Sequence, residues 1–180
     1  MRYRLRKFNP ETDTRKPFDC GNPDLNGFLL ETDPRQHNAT MHAKEMLSET
    51  YVAVDISDNI LAYFSLLNDK IDKNYTDKRV WNRLSRAIPN AKRRSSQPAL
   101  KIGRFAVSKN YQKSGLGKEL IRIIQIWFFK ERRAGCRFIT VDALECAVGF
   151  YKKCNFNEIS QTEKNEPTTT MCFDLKSVQF

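Results

Sequence analysis

No apolar run in this 180-residue chain approaches the roughly 18 residues needed to cross a bilayer. Residues 1–10 are charged rather than apolar, so they do not read as a secretory signal, and the sequence predicts a soluble, unexported, cytoplasmic protein with no membrane partner. A C-x-x-C pair is also missing. The five cysteines, Cys20, Cys136, Cys146, Cys154 and Cys172, form an odd and scattered set. That argues against a disulfide framework and a thiolate metal site, leaving reduced core thiols and no metal as the expectation. Only two histidines occur, His37 and His42. They sit on a polar stretch without a partner pattern and read as surface residues rather than as an acid–base pair. Internal repeats and low-complexity tracts are absent as well.

What is present is ordinary for one globular domain: 40% of the residues are apolar and 11% of all residues are aromatic. The charge is less ordinary. Of a net +10, residues 78–101 contribute eight basic side chains (Lys78, Arg79, Arg83, Arg86, Lys92, Arg93, Arg94, Lys101) and no acidic one, which leaves 10 − 8 = +2 for the rest. Such a segment attracts polyanions, so nucleic acid or a phosphorylated substrate becomes a candidate partner. A solvated surface excursion explains the same residues, and composition does not choose between the two.

Periodicity orders the elements. Residues 3–8 alternate as a half-buried strand does, and Asn22 before Pro23 marks a helix start with Leu25, Phe28 and Leu29 on one face. Residues 35–44 are weakly helical. Residues 50–56 and 60–67 form a hairpin about Ser57, Asp58 and Asn59. A helix over 80–87 and an irregular loop over 89–98 follow. The strand 101–107 then leads to a long helix with Leu116, Leu120, Ile123, Ile124, Trp127 and Phe128 at helical spacing, ending near Gly135. Trp127, Phe128 and Phe129 read as core packing rather than as a base-stacking platform. A buried strand over 138–143, a short helix over 147–153 and closing strands over 158–162 and 169–175 complete a three-layer α/β order with a mixed central sheet.

The strand 101–107 and the long helix are joined by Gln112, Lys113, Ser114, Gly115, Leu116 and Gly117. A glycine-bearing turn that opens a helix is an anion cradle, because its backbone N–H groups lack partners within the helix and sit at the positive end of its dipole. Two commoner nucleotide loops are excluded by spacing. A P-loop needs Gly and Ser or Thr where Gln112 and Glu119 stand, and a dinucleotide fingerprint needs a third Gly where Leu120 stands.

The remaining pattern, Q-x-x-G-x-G, resembles the acyl-CoA pyrophosphate loop of the GNAT N-acetyltransferases. A second segment, Ala147 Val148 Gly149 Phe150 Tyr151 Lys152 Lys153 Cys154 Asn155 Phe156, resembles that family's A-x-x-F-Y-x-x-x-G-F motif. The two come in the family's order, and the resemblance covers about residues 50–175. It implies a GNAT fold whose strands splay into a V-shaped gap for the pantetheine arm of acetyl-CoA. By the same resemblance, backbone groups of Phe105, Ala106 and Val107 meet the pantetheine, and N–H groups from Gln112 to Lys118 (through Lys113, Ser114, Gly115, Leu116 and Gly117) hold the pyrophosphate. A backbone N–H near Val107 would stabilise the oxyanion. Tyr151 looks like the family's general acid for the departing thiolate, a role that a phenol near pKa 10 can fill against a thiol near 8.5 as charge builds on sulfur. The family's Gly before the last Phe is Asn155 here, a residue that tolerates the left-handed conformation. Asp142 and Glu145 stand nearby, but the base that deprotonates the amine is left unassigned.

Phe18 Asp19 Cys20 Gly21 Asn22 with Leu25, Phe28 and Leu29, and also Gly103 Arg104 Phe105 Ala106 Val107, resemble a GNAT branch that includes bacterial toxins acetylating aminoacyl-tRNA. The resemblance implies an acetyl-CoA-dependent N-acetyltransferase acting on a primary amine. Aminoacyl-tRNA, reached through the basic residues 78–101, leads as acceptor, and a small amine or protein lysine is the alternative. It leaves room for an antitoxin protein and a homodimer as partners. A nucleic-acid-binding module on the same scaffold, without turnover, is the competing class.

Overall fold

The computed structural model describes residues 2–33, 35–86, 88–89, 94–131, 135–159 and 167–178. Its elements run β1 (Arg4–Lys7), α1 (Pro10–Asp13), α2 (Pro23–Leu30), α3 (Ala39–Lys44), β2 (Glu49–Val54), β3 (Ile60–Asp72), α4 (Lys78–Arg86), β4 (Ser96–Val107), α5 (Leu116–Glu131), β5 (Phe138–Leu144), α6 (Glu145–Lys153), β6 (Asn157–Glu158) and β7 (Thr168–Asp174). The strands make one mixed seven-stranded sheet in the order β1-β2-β3-β4-β5-β7-β6, as the α/β expectation requires. Residues divide into two compact units, Met1–Leu67 with Ile102–Leu120 and Asn68–Lys101 with Ile121–Phe180.

In the first unit, three helices start by one device. Asn9, Asn22 and Asn38 each turn a side-chain oxygen to an N–H of the first turn, those of Glu11 (3.0 Å), Leu25 (3.2 Å) and Met41 (2.8 Å). Each such cap stabilises by about 1 kcal/mol. Pro10 and Pro23 follow two of them at the position that lacks a needed N–H. The β2–β3 hairpin is held by Asp55, whose carboxylate accepts from the N–H groups of Ser57 (2.8 Å) and Asn59 (2.9 Å). Phe18, Phe28, Leu29, Ala39, Val52, Val54, Ile60, Tyr63 and Ala106 form the core, and the buried Tyr63 hydroxyl donates to the Leu25 carbonyl at 2.6 Å.

In the second unit the core is Ile71, Trp81, Ala99, Phe138, Ile159 and Cys172. Helix α4 is capped by Asp77, whose carboxylate accepts from the N–H groups of Arg79 (2.9 Å) and Val80 (3.1 Å). Strand β5 pairs antiparallel with β7, from Phe138 opposite Asp174 to Leu144 opposite Thr168.

Several boundaries differ from the sequence expectations. Strand β3 runs on to Asp72 and β4 begins at Ser96, inside the stretch read as loop. In both cases polar sequence is drawn into a strand by tertiary pairing, with Ile71 and Ala99 buried as the anchors. Helix α3 starts at its Asn38 cap rather than at 35, and α1 was not foreseen. Of the closing strand read over 158–162, residues 160–162 lie outside the described residues. The core side of α5 is Leu116, Leu120, Ile121 and Ile124. Trp127, Phe128 and Phe129 are only half-buried. Cys154 and Cys172 are buried, Cys20 and Cys136 half-buried, and Cys146, read as a core thiol, is exposed on α6.

Candidate active site

The glycine turn belongs to the first unit, and local hydrogen bonds fasten its shape. At the end of β4, Ser108 N–H donates to the Leu61 carbonyl and Lys109 N–H to the Asp19 carbonyl, both at 2.8 Å. The Gln112 side-chain amide then donates to two carbonyls, those of Cys20 (2.8 Å) and Val107 (3.0 Å), tying the turn to the strand before it and to the segment before α2. Ser114 Oγ donates to the Tyr111 carbonyl at 2.6 Å. Lys113 (φ 60°) and Gly115 (φ 93°) are left-handed, a conformation natural to Gly and costing a lysine on the order of 1 kcal/mol. Among the described residues, no protein acceptor meets the backbone N–H groups of Lys113, Ser114, Gly115, Gly117 or Lys118. The turn therefore presents open donors beside two exposed lysines at the start of a 16-residue helix. This donor set fits a pyrophosphate. Phe105 and Val107 are half-buried and Ala106 is buried.

Tyr151 belongs to the second unit, on α6. The residue is 5% exposed and meets Phe150 and Phe156 edge-on, at ring distances of 5.1 and 5.5 Å. Burial, with the Cys154 thiol beside it, pushes its phenol well above the ordinary value of 10. Its hydroxyl has no hydrogen-bond partner among the described residues. The helix that carries it ends as expected: Asn155 takes φ 65°, and the N–H groups of Cys154 and Phe156 return to the Tyr151 carbonyl at 2.9 and 3.1 Å.

The two carboxylates near β5 are occupied otherwise. Asp142 is ion-paired with Lys101 and accepts from Thr170 Oγ1 at 3.0 Å, while Glu145 opens α6, where its charge faces the positive helix end. His42 corrects its reading as a surface residue. It is half-buried, its Nδ1 lies 3.0 Å from Ser48 Oγ, and its ring meets Phe28 edge-on at 5.3 Å; His37 is exposed as expected. Sequence reasoning gave no role to Arg104, whose guanidinium lies over the Phe28 ring at 5.4 Å. The available signal was a cation inside the otherwise uncharged stretch from Ile102 to Val107.

The basic residues sort along α4. Lys78, Arg79, Arg83 and Arg86 are exposed and Trp81 is buried beneath them, so the helix turns a cationic face outward. Arg94 is exposed too, whereas Lys101 is engaged by Asp142; Lys92 and Arg93 lie outside the described residues. No helix among the described residues is long and apolar enough to cross a membrane.

Residues 48–158 match the family model of the acetyltransferase (GNAT) domain. The chain belongs to the GNAT acetyltransferase family. As a GNAT enzyme it is an acyl-CoA N-acetyltransferase, moving an acetyl group from the CoA thioester to a primary amine. Its fold is similar to that of a tyrosine-to-phenylalanine mutant of KacT (TM-score 0.76, 21% identity, 98% of this chain and 97% of that one). It is similar also to AtaT complexed with acetyl-methionyl-tRNAfMet (0.74, 21%, 98% and 96%) and to AtaTR bound with AcCoA (0.69, 22%, 97% and 94%).

Proposed function

We propose that this GNAT enzyme acetylates the α-amino group of aminoacyl-tRNA, acting in the cytoplasm as the toxin of a toxin–antitoxin pair. The observation that carries the reading is the row of four exposed cations on α4 with no acidic residue among them, a surface suited to a nucleic-acid backbone. The fold it shares with AtaT, solved with acetyl-methionyl-tRNAfMet, supports the same acceptor. AtaT is also solved with the C-terminus of the antitoxin AtaR, which supports an antitoxin partner, and a homodimer is part of the proposal.

In this reading the turn from Gln112 to Lys118, through the open N–H groups of Lys113, Ser114, Gly115, Gly117 and Lys118, holds the pyrophosphate of acetyl-CoA, and backbone groups of Phe105, Ala106 and Val107 orient the pantetheine. The neutral amine attacks the thioester carbonyl, a backbone N–H near Val107 stabilises the oxyanion, and Tyr151 gives its proton to the sulfur as the C–S bond breaks. No side chain is assigned as base.

The Gln112 amide bridges two carbonyls, so Gln112→Ala should loosen the turn and raise the KM for acetyl-CoA by about 5- to 10-fold, the worth of one or two ordinary hydrogen bonds. Steady-state kinetics with acetyl-CoA varied checks this, with kcat expected to change little.

The acceptor is tested by incubating the protein with labelled acetyl-CoA and a total aminoacyl-tRNA pool. Label should enter RNA, be released by mild base together with the ester-linked amino acid, and be absent when the tRNA is deacylated first. Label that reaches only polyamines or protein lysines would sink the tRNA reading and leave the acetyltransferase intact. Salt-sensitive RNA binding without any effect of acetyl-CoA would favour a binding module.

A further inference from the structure

Arg104 is held in a way that the fold alone does not explain. Its guanidinium lies over one face of Phe28, whose ring is stacked on Tyr63 at 6.1 Å with an interplanar angle of 15°. His42 closes the edge of the same ring. The ring that meets the cation is thus itself packed between Tyr63 and His42. Yet the polar partners of that cation are poor. Nη2 reaches Asp24 only at 3.7 Å, and the Asp24 side chain is 74% exposed; Nη1 reaches the Gly103 carbonyl at 3.4 Å. Nε is enclosed and has no hydrogen-bond partner among the described residues. An exposed ion pair of that length is worth about 0–1 kcal/mol, whereas an enclosed donor without a partner costs about 1–3 kcal/mol. The Phe28 contact adds about 0.5–1 kcal/mol, so these terms roughly cancel, and what remains is a 40% exposed side chain whose two Nη groups have only long partners, an arrangement suited to a bidentate oxyanion.

Position adds a second argument. Arg104 and Ala106 share one face of β4, and Ala106 is in the core with Phe28 and Tyr63, so this face is the α2 side. Arg104 stands three residues before Val107, about 10 Å along the strand. An aminoacyl group with its ribose spans such a gap.

We propose that Arg104, fixed over Phe28, receives the terminal phosphodiester of the RNA acceptor and so sets the distance between that phosphate and the amine to be acetylated. The inference rests on the aminoacyl-tRNA reading above and adds a residue and a contact to it. Burial, with His37 and Arg104 close by, pushes His42 down from 6.5, which keeps the neighbouring imidazole neutral and places no second cation against the phosphate.

The test uses an aminoacyl-nucleoside such as puromycin, with and without a 5′-phosphate, alongside aminoacyl-tRNA, and the wild-type, Arg104→Gln and Arg104→Lys enzymes. Wild type should favour the 5′-phosphorylated form in kcat/KM by about 10-fold or more, the worth of a charge-assisted hydrogen bond. Arg104→Gln should erase that preference through KM, with kcat and acetyl-CoA binding retained, and Arg104→Lys should keep part of it. An equal loss on both forms, or no preference in wild type, overturns the contact. If neither small acceptor is turned over, an unchanged KM for aminoacyl-tRNA in Arg104→Gln overturns it and a raised one supports it. Failure of wild type on tRNA itself overturns the acceptor reading instead.

Discussion

Tyr151→Phe should lower acetyl transfer by about 10²- to 10⁴-fold, the usual worth of a positioned proton donor, with acetyl-CoA affinity unchanged. The substitution is close to isosteric. It removes only a hydroxyl that has no partner among the described residues, so no buried group is orphaned and no cavity opens. The Phe150 and Phe156 edges that hold the ring persist. Melting should therefore stay within about 1 kcal/mol of wild type, and a rate loss cannot be charged to unfolding. The pH profile gives a separate check. Because burial raises the phenol, the acid form is complete from neutral pH well into the alkaline range. The rate should rise with pH as the acceptor amine loses its proton, then level off without a falling limb below about pH 10. A Tyr151→Phe enzyme within about threefold of wild type would remove Tyr151 from the chemistry.

What could be read along the chain was what neighbouring residues decide. Asn22 with Pro23 is a cap whose donors and acceptors lie within three residues, and the structure shows it as expected. Asn155 at φ 65° is likewise local: a helix end needs a left-handed residue and Asn supplies it. The open donors of the glycine turn follow from its position before α5. Features set by distant partners were not legible. Gln112 shapes the turn through the carbonyl of Cys20, 92 residues away in sequence. Arg104 and His42 acquire their surroundings from Phe28, and a cation in a strand says nothing of the ring that will cover it. Strand β3 extends past Leu67 through polar residues because it has pairing partners, a fact absent from the alternation itself. Helix α1 failed for a different reason: four residues carry no period, and only the Asn9–Pro10 pair, the same signal as Asn22–Pro23, could have marked it.

The largest stability effect is expected at Asp13, a residue with no role in the proposed chemistry. Its side chain is 0% exposed and fully bonded: Oδ2 accepts from Arg6 Nη1 at 2.7 Å and Asn9 N–H at 2.8 Å, and Oδ1 accepts from Arg6 Nη2 at 2.7 Å and Lys16 Nζ at 3.0 Å. Both cations also meet Asp58 at the hairpin turn, so one carboxylate joins β1, α1 and the β2–β3 hairpin. Asp13→Asn keeps the shape but removes the charge from between two cations, each less than a quarter exposed. Breaking a buried pair in this way costs about 3–5 kcal/mol, which for a chain of this length is a fall in Tm on the order of 10 °C. The acid dependence follows with a definite sign. Burial pushes the Asp13 carboxyl up, but the bonds from Arg6, Asn9 and Lys16 outweigh it and hold the group at about 2, below its ordinary 3.8. A depressed folded-state value stabilises above the unfolded one, and that stability, about 2 kcal/mol, is lost as pH falls from about 4 towards 2. Calorimetry of wild type and Asp13→Asn between pH 7 and pH 2 checks both parts: the curves should be separated at neutral pH and converge in acid. Parallel curves would mean that the charge of Asp13 adds no stability over this range, and that the hairpin is held to β1 by the β1–β2 backbone ladder and packing.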